Sequence, residues 1–440
     1  MVKNKYKHKK VPPLSRIQVT ANLPDVFDNK FMAKNFDNKN IVVIFDNNFF
    51  VMKNTIGVPA RKENFYPREK EINKIISKID DGNNLQIAAP RRVGKTSILF
   101  SLLDNKTDNH IYIYVDTESI DKSADFFKRI VKEVIKIEGN RISKLLEKGN
   151  RFLKKIKGFK VMGTEISLNE SVEADYKEEL ENLLSGFEIE DGKRLVLLID
   201  EFPQTIQNII EKGDNGSKEA INFLQSNRDL RLNPEINSKV TFIYTGSIGL
   251  NHTVSSIDGT AFINDINSVE VGPLEKTDAL ELLEQLLANK KRHISTESAN
   301  YLMDKIEWLI PFHIQLAVQE IIDQSNIDIA ITNEIIDKSF SEIVASRNNN
   351  HFEHYSSRLR ISFKGDEYKF AYKLLCNIAE KGTLQKAEAF DISLDFNVQD
   401  RFRAIIEILI YDGYINNNGN ANIYRFNSPI LRMWWNRFNN

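Results

Sequence analysis

One cysteine, Cys376, occurs in the 440 residues, so no disulfide can form within the chain and no second thiol is available to share a metal. It lies in an apolar helical stretch with Phe370, Ala371, Leu374, Leu375 and Ile378, which predicts a buried structural thiol. Long apolar runs are also missing. The longest candidates, such as residues 195–199, stop after about five or six residues, far short of the ~20 that cross a bilayer. Residues 1–10 carry lysines but no apolar core of signal-peptide length, so the expectation is a cytoplasmic protein with no membrane partner. Charge of one sign is lacking too. Sixty Lys and Arg against 61 Asp and Glu leave a net charge of −1, whereas a protein that coats nucleic acid by neutralising phosphates shows a basic excess. Any DNA contact must therefore come from a local patch. No internal repeat is evident.

A hydrophobic share of 41% with 28% charged residues suits a globular protein, and the length suits about two to four domains. Residues 1–56 stand apart, with a basic start and then Asp, Asn, Lys and Phe around two apolar runs. Residues 41–45 and 49–52, joined through Asp46, Asn47 and Asn48, predict a β-hairpin, read either as a docking arm or as a strand pair packed on the main domain. From Glu69 the pattern alternates. Ile72, Ile75, Ile76 and Ile79 recur at helical spacing; residues 85–88, 111–115, 195–199 and 240–244 predict short buried strands, with helical patterns from Val93 onward and over 126–135. Such alternation implies a parallel sheet covered on both faces. Residues 141–190 form an insertion with a basic helix (Arg151, Lys154, Lys155, Lys157) and a hairpin around Gly163; the basic run predicts a solvated face. Residues 277–347 are helical, 348–363 look like a connector, and 366–440 read helix, turn, helix and hairpin, the outline of a winged helix.

Chemistry concentrates in Ala89-Pro90-Arg91-Arg92-Val93-Gly94-Lys95-Thr96-Ser97. This stretch fits G-x-x-x-x-G-K-[ST] everywhere except the first place, where Ala89 stands for glycine. Between a strand and a helix, such a loop turns successive N–H groups toward phosphates, and the helix N-terminus adds partial positive charge. Lys95 is expected to reach the β- and γ-phosphate oxygens of ATP and the Thr96 hydroxyl to ligate Mg²⁺. Downstream, Leu195-Val196-Leu197-Leu198-Ile199-Asp200-Glu201 is a buried strand delivering two acids at its C-terminal edge, where open parallel sheets bind ligands. Asp200 is the expected Mg²⁺ partner and Glu201 the group that orients the attacking water. The strand over 240–244 ends in Thr245-Gly246-Ser247, and either hydroxyl suits a γ-phosphate or water sensor. Phe65-Tyr66-Pro67-Arg68-Glu69, ahead of the first helix, either borders the adenine or merely starts that helix.

Together these segments resemble the AAA+ class of P-loop ATPases and, within it, the archaeal-type, STAND-like branch found in prokaryotes, over about residues 57–440. The likeness also draws on Tyr244-Thr245-Gly246-Ser247-Ile248-Gly249-Leu250, Asn264-Asp265, Pro311-Phe312-His313-Ile314-Gln315 and Ser428-Pro429-Ile430-Leu431-Arg432-Met433-Trp434-Trp435. It implies an N-terminal extension over 1–56, a P-loop ATPase core over 57–275, a helical lid over 276–350, and a linker with a winged helix over 351–440. ATP binding would change the arrangement of lid and winged helix. Two departures stand out: residues 246–275 hold no Arg or Lys where an arginine finger is usual, and residues 294–346 hold no arginine for a second sensor. Arg228 and Arg231 are candidate substitutes for the first, and His313, weighed against a packing role, for the second.

For DNA, Arg401 and Arg403 open the candidate recognition helix and Arg425 lies on the wing, but Asp391, Asp395, Asp400 and Glu407 offset them. Trp434 and Trp435 are expected to anchor the terminal helix. The function expected is Mg²⁺-dependent ATP hydrolysis driving a conformational switch toward a protein partner. The alternatives are a DNA-transaction ATPase and a nucleotide-binding scaffold with little turnover, with homo-oligomerisation open.

Overall fold

Two units divide the chain, Met1–Phe49 and Phe50–Asn440. In this computed structural model the described residues are 52–440, without 106, 147–158, 163–164, 169–174, 188–191, 327–328, 418 and 440; 33–36, 40–43, 137–146, 159–162 and 165–168 are described as backbone alone. In the first unit, β1 (Ala33–Phe36) pairs antiparallel with β2 (Asn40–Val43), Ala33 opposite Val43. This pairing is not the one expected, of 41–45 with 49–52. Turn formers stand at 37–38 as well as at 46–48, so composition alone does not choose between the two turns. The proposed partner strand at 49–52 lies outside the described residues, Met52 excepted.

In the second unit, helices and strands alternate: α1 (Glu69–Asp80), β3 (Asn84–Ala88), α2 (Lys95–Asp104), β4 (His110–Asp116) and α3 (Ser123–Leu146). Then come the antiparallel pair β5 (Phe159–Met162) and β6 (Glu165–Leu168), α4 (Tyr176–Ser185) and β7 (Arg194–Asp200). This pair is the expected hairpin of the insertion, whereas its basic run at 151–157 and Gly163 fall outside the described residues. After β7 follow α5 (Phe202–Ile210), α6 (Gly216–Leu232), α7 (Pro234–Asn237), β8 (Val240–Thr245), α8 (Leu250–Ser255) and β9 (Ile266–Glu270).

Strands β3, β4, β7, β8 and β9 form one parallel sheet in the order β4-β7-β8-β3-β9. The two-residue period of β7 divides its buried side chains between two cores: Val196 and Leu198 on one face, Leu195, Leu197 and Ile199 on the other. Both faces are thus covered, which explains the unbroken apolar run. Strand β9 was not expected. In Ile266–Glu270 only Val269 is fully buried, so this edge strand lacks the apolar run that marks the interior ones.

Four helices follow: α9 (Lys276–Asn289), α10 (Thr296–Ile306), α11 (Pro311–Gln324) and α12 (Asn333–Ile343). Their starts have local causes. The Ser295 and Thr332 side chains accept from the N–H groups of Ser298 and Ile335, and Pro311 occupies the first turn of α11.

The stretch expected as a connector is largely α13 (Glu353–Ser362). Phe352, Tyr355 and Leu359 bury one stripe of it at helical spacing. Beyond it lie α14 (Gly365–Lys381), β10 (Thr383–Gln385), α15 (Lys386–Asp395), α16 (Phe402–Tyr411), β11 (Ile415–Asn416), β12 (Ile423–Phe426) and α17 (Pro429–Phe438). Strands β10, β12 and β11 make an antiparallel sheet with β12 in the middle. Trp434 and Trp435 are fully buried, Trp434 stacking on Phe352 at 5.9 Å between ring centroids. Cys376 is half-buried, its Sγ 3.5 Å from the Asn439 carbonyl. Among the described residues no helix is long and apolar enough to cross a membrane.

Candidate functional site

The strand order explains why the two motifs meet. Strand β8 separates β3 from β7, and all three run parallel, so the loop after β3, the acids after β7 and the hydroxyls after β8 leave the sheet at one edge. That edge is where open parallel sheets bind ligands.

Between β3 and α2 the loop turns on two left-handed residues, Arg92 at φ 66° and Gly94 at φ 110°. A side chain at Gly94 would meet open space; its backbone conformation, not crowding, is what calls for glycine. Lys95 opens α2 and is 7% exposed, its ammonium donating to the carbonyls of Ala89 (2.8 Å) and Pro90 (3.0 Å). Burial pulls this lysine down to about 8 from its usual 10.5, although Glu201 and Asp200 pull the other way. Val93 and Ser97 are buried, and Ser97 Oγ accepts from the Ala60 N–H at 3.0 Å. The Arg92 guanidinium lies 4.7 Å from the centre of the Phe312 ring, tying the loop to α11.

Asp200, 3% exposed, gathers the hydroxyls around it. One oxygen accepts from Thr96 at 2.9 Å and from Tyr114 at 3.1 Å, and the other accepts from Thr245. Burial pushes its carboxyl above the ordinary range despite the Thr245 hydroxyl, and the neighbouring Glu201 charge adds to the rise. Thr117 fixes the strand end by donating to the Asp200 carbonyl through its N–H (3.1 Å) and its hydroxyl (2.8 Å).

Glu201 sits between β7 and α5 at φ 58°, a conformation costly for a residue with a side chain and frequent at working sites. Its carboxylate accepts from both the N–H and the hydroxyl of Ser247, each at 2.9 Å. Thr245 and Ser247, which the sequence offered as alternatives, thus serve different acids. Glu118 lies close by, and burial, with the charges of Glu201 and Asp116, raises its carboxyl.

Other candidates are placed elsewhere. His313 is 1% exposed, with Nδ1 3.3 Å from the Trp308 carbonyl and 3.4 Å from Ser428 Oγ; burial lowers it to about 4. These contacts join α11 to the C-terminal region, a packing position. Arg231 is 1% exposed and pairs with Asp265 at 2.7 Å, while Arg228 donates to Asn264 at 3.3 Å. That corrects the expected use of Arg231 as a substitute finger, because a buried, paired guanidinium is not free to reach another molecule. Tyr66 reaches Glu281 on α9 (2.9 Å) and Arg68 reaches the Gly272 carbonyl (2.7 Å), so this segment binds the core's edge.

Sequence reasoning missed Tyr114, Thr117 and Glu118. They lie on and just after β4, whose Asp116 stands opposite Asp200 in the register; without the pairing of β4 with β7 nothing in their spacing marks them. Among the described residues no three His, Cys, Asp or Glu side chains gather to hold a metal. Thr96 and Asp200, 2.9 Å apart, do fit a Mg²⁺ that takes one or two protein ligands and fills its shell with phosphate oxygens and water.

The fold is that of the P-loop ATPases. A Walker-type ATPase of Pyrococcus abyssi superposes with a TM-score of 0.55 at 17% identity, over 86% of this chain and 98% of its own. The ORC2 protein of Aeropyrum pernix, solved as ADPNP–ADP complexes, superposes at 0.51 and 12% identity, over 89% and 96%. No protein-family model matches the sequence, and no curated protein matches it.

Proposed function

We propose that this chain binds ATP with Mg²⁺ at the edge of its sheet and hydrolyses it to ADP and phosphate. The observation that carries the reading is the sharing of Asp200 by Thr96, Tyr114 and Thr245, next to a Glu201 held by Ser247. The loop amides around Gly94 and the Lys95 ammonium bind the β- and γ-phosphates. Thr96 and Asp200 would hold Mg²⁺, which when bound neutralises phosphate charge. Glu201 orients a water for in-line attack on the γ-phosphorus and accepts its proton as the bond to the β-phosphate oxygen breaks. Ser247 sets the direction of that carboxylate, and Thr245 that of Asp200.

The fold similarity to a Walker-type ATPase and to a protein solved with ADPNP and ADP supports the nucleotide class. We read residues 57–275 as the ATPase core, 276–350 as a lid and 351–440 as linker and winged helix of an AAA+, STAND-like protein working in the cytoplasm. The helices α14, α15 and α16 with the β10-β12-β11 sheet support the winged-helix reading. Its partner is a protein in our reading, because the arginines that would meet DNA have carboxylate partners: Arg401 with Glu367 (3.0 Å), Arg403 with Glu407 (2.8 Å) and Arg425 with Glu307.

ATP turnover and binding by wild type, Lys95→Ala and Glu201→Gln, each with and without duplex DNA, test this reading. Expected are loss of binding in Lys95→Ala and, in Glu201→Gln, retained binding with turnover down ~100-fold or more. Unchanged turnover in Glu201→Gln removes the catalytic assignment, and strong stimulation by DNA replaces the protein-partner reading.

A further inference from the structure

Helix α15 distributes its side chains against the usual rule. A surface helix turns its large apolar residues to the core, but the fully buried residues of α15 are the small Ala389 and Ser393, while Phe390 is 41% and Leu394 49% exposed. With the exposed Ala387 these two fall at i, i+3 and i+7, so they form one solvent-facing stripe about 10 Å long. The Phe390 ring is not loose: it meets Phe402 nearly at right angles, 5.4 Å between centroids, which holds it in place. Single exposed apolar side chains are ordinary. Among the described residues Val58, Leu232, Ile329, Ile361 and Phe438 occur no more than one to an element, and α15 alone presents two large ones a turn apart.

The charges beside this stripe are of one sign. Asp391 and Asp395 border it on one flank, and Asp400 stands in the 399–401 turn that packs on α15; among the described residues none of the three carboxylates has an ion-pair partner. The basic groups of the neighbourhood are engaged elsewhere, Lys381 with Glu388 (2.9 Å), Arg401 with Glu367 (3.0 Å) and Arg403 with Glu407 (2.8 Å). Lys386, the only cation of α15, lies on the opposite flank. This pattern selects among occupants. Unpaired carboxylates repel a phosphate backbone. A second copy docking α15 on α15 would set Asp391 and Asp395 against their own counterparts, a like-charge contact. A helix with lysines or arginines beside its own apolar stripe meets them with opposite charge, and a stripe spanning two turns matches the face of such a helix.

We propose that the stripe of Ala387, Phe390 and Leu394 on α15 docks a basic amphipathic helix of a partner protein, its apolar side chains on the stripe and its lysines or arginines against Asp391 and Asp395. The inference deepens the protein-partner reading above and rests on it; it does not depend on ATP turnover.

The test is fluorescence anisotropy with the full chain and two synthetic peptides, each about 18 residues long so that a helix can form. Both carry the same leucine stripe, flanked by lysines in one and by glutamates in the other. At low salt the lysine peptide should bind at least about 10-fold more tightly, and that preference should shrink toward about 0.5 M salt as the exposed charges are screened. Phe390→Ser with Leu394→Ser should weaken the lysine peptide about 10-fold or more, and Asp391→Lys with Asp395→Lys should invert the preference. Glu297→Lys with Glu334→Lys, exposed on α10 and α12, should change neither. Equal affinity for the two peptides, binding of neither, or a lysine-peptide affinity untouched by the serine substitutions overturns the proposal. So does a wild-type dimer that Leu394→Ser dissociates in sedimentation, since the occupant is then a second copy. Should the double serine variant not fold, Leu394→Ser alone decides in the same way. Strong stimulation of ATP turnover by duplex DNA sinks the protein-partner reading itself, whereas failure of the peptides without such stimulation refutes this face and leaves that reading standing.

Discussion

Lys95 is a buried ammonium held down to about 8, and a polyphosphate docked against it would restore its ordinary affinity for a proton. Binding ATP would therefore take up the proton that the free lysine has lost. At pH 7 about nine-tenths of the free lysine is charged and at pH 9 about one-tenth, so affinity should fall about tenfold between the two. Calorimetric titration of ATP at pH 8, in two buffers of different ionisation enthalpy, should show uptake of about half a proton. Lys95→Arg keeps its charge throughout this range, so whatever affinity it retains should lose the pH slope. The contribution to folding has the opposite sign. A lysine whose folded pKa lies below the unfolded value destabilises the fold by about 3 kcal/mol below pH 8, and that penalty fades as pH rises toward 10.5. In the free protein the Lys95 contribution to stability thus improves over the range in which nucleotide affinity declines. ATP affinity that is flat from pH 7 to 9 in the wild type, with no proton uptake, would refute the argument.

Three further outcomes follow from the geometry. Thr245→Val leaves the buried Asp200 one donor short and should cost ~1–3 kcal/mol by urea denaturation; an unchanged midpoint would show that the contact is not formed in solution. Asp265→Asn strips the charge partner from the buried Arg231 and should cost ~3–5 kcal/mol while leaving ATP affinity of the folded fraction intact; a selective loss of turnover would instead reinstate Arg231 as a catalytic cation. Gly413→Ala combines a left-handed backbone with a Cβ 2.9 Å from Pro90 and should lower stability by ~1–3 kcal/mol. Thermal unfolding that matches wild type would mean that the turn does not rest on the loop.

Composition and local pattern determined a good deal about this protein. The strand–loop–helix around Gly94 and Lys95, the acidic strand end, the parallel α/β sheet and the buried terminal tryptophans were all legible, because each depends on residues close in sequence: a glycine and lysine at fixed spacing, a run of apolar residues before two acids, strands alternating with helices. Position in the sheet was another matter. That Thr245 would bind Asp200 and Ser247 would bind Glu201 depends on β8 lying between β3 and β7, a neighbour relation that no local pattern encodes. Burial was equally out of reach where polar residues were concerned. Arg231 looked like a free surface cation until Asp265 enclosed it, and residues 353–362 looked like a connector because their short buried stripe is interleaved with Ser, Arg and Glu. Helix formation there is decided by the apolar surface that Phe352, Tyr355 and Leu359 find in the neighbouring elements. Chain-local chemistry specifies which groups exist and how each segment coils; only the assembled core selects which of those groups lose water, and so which must find partners across the fold.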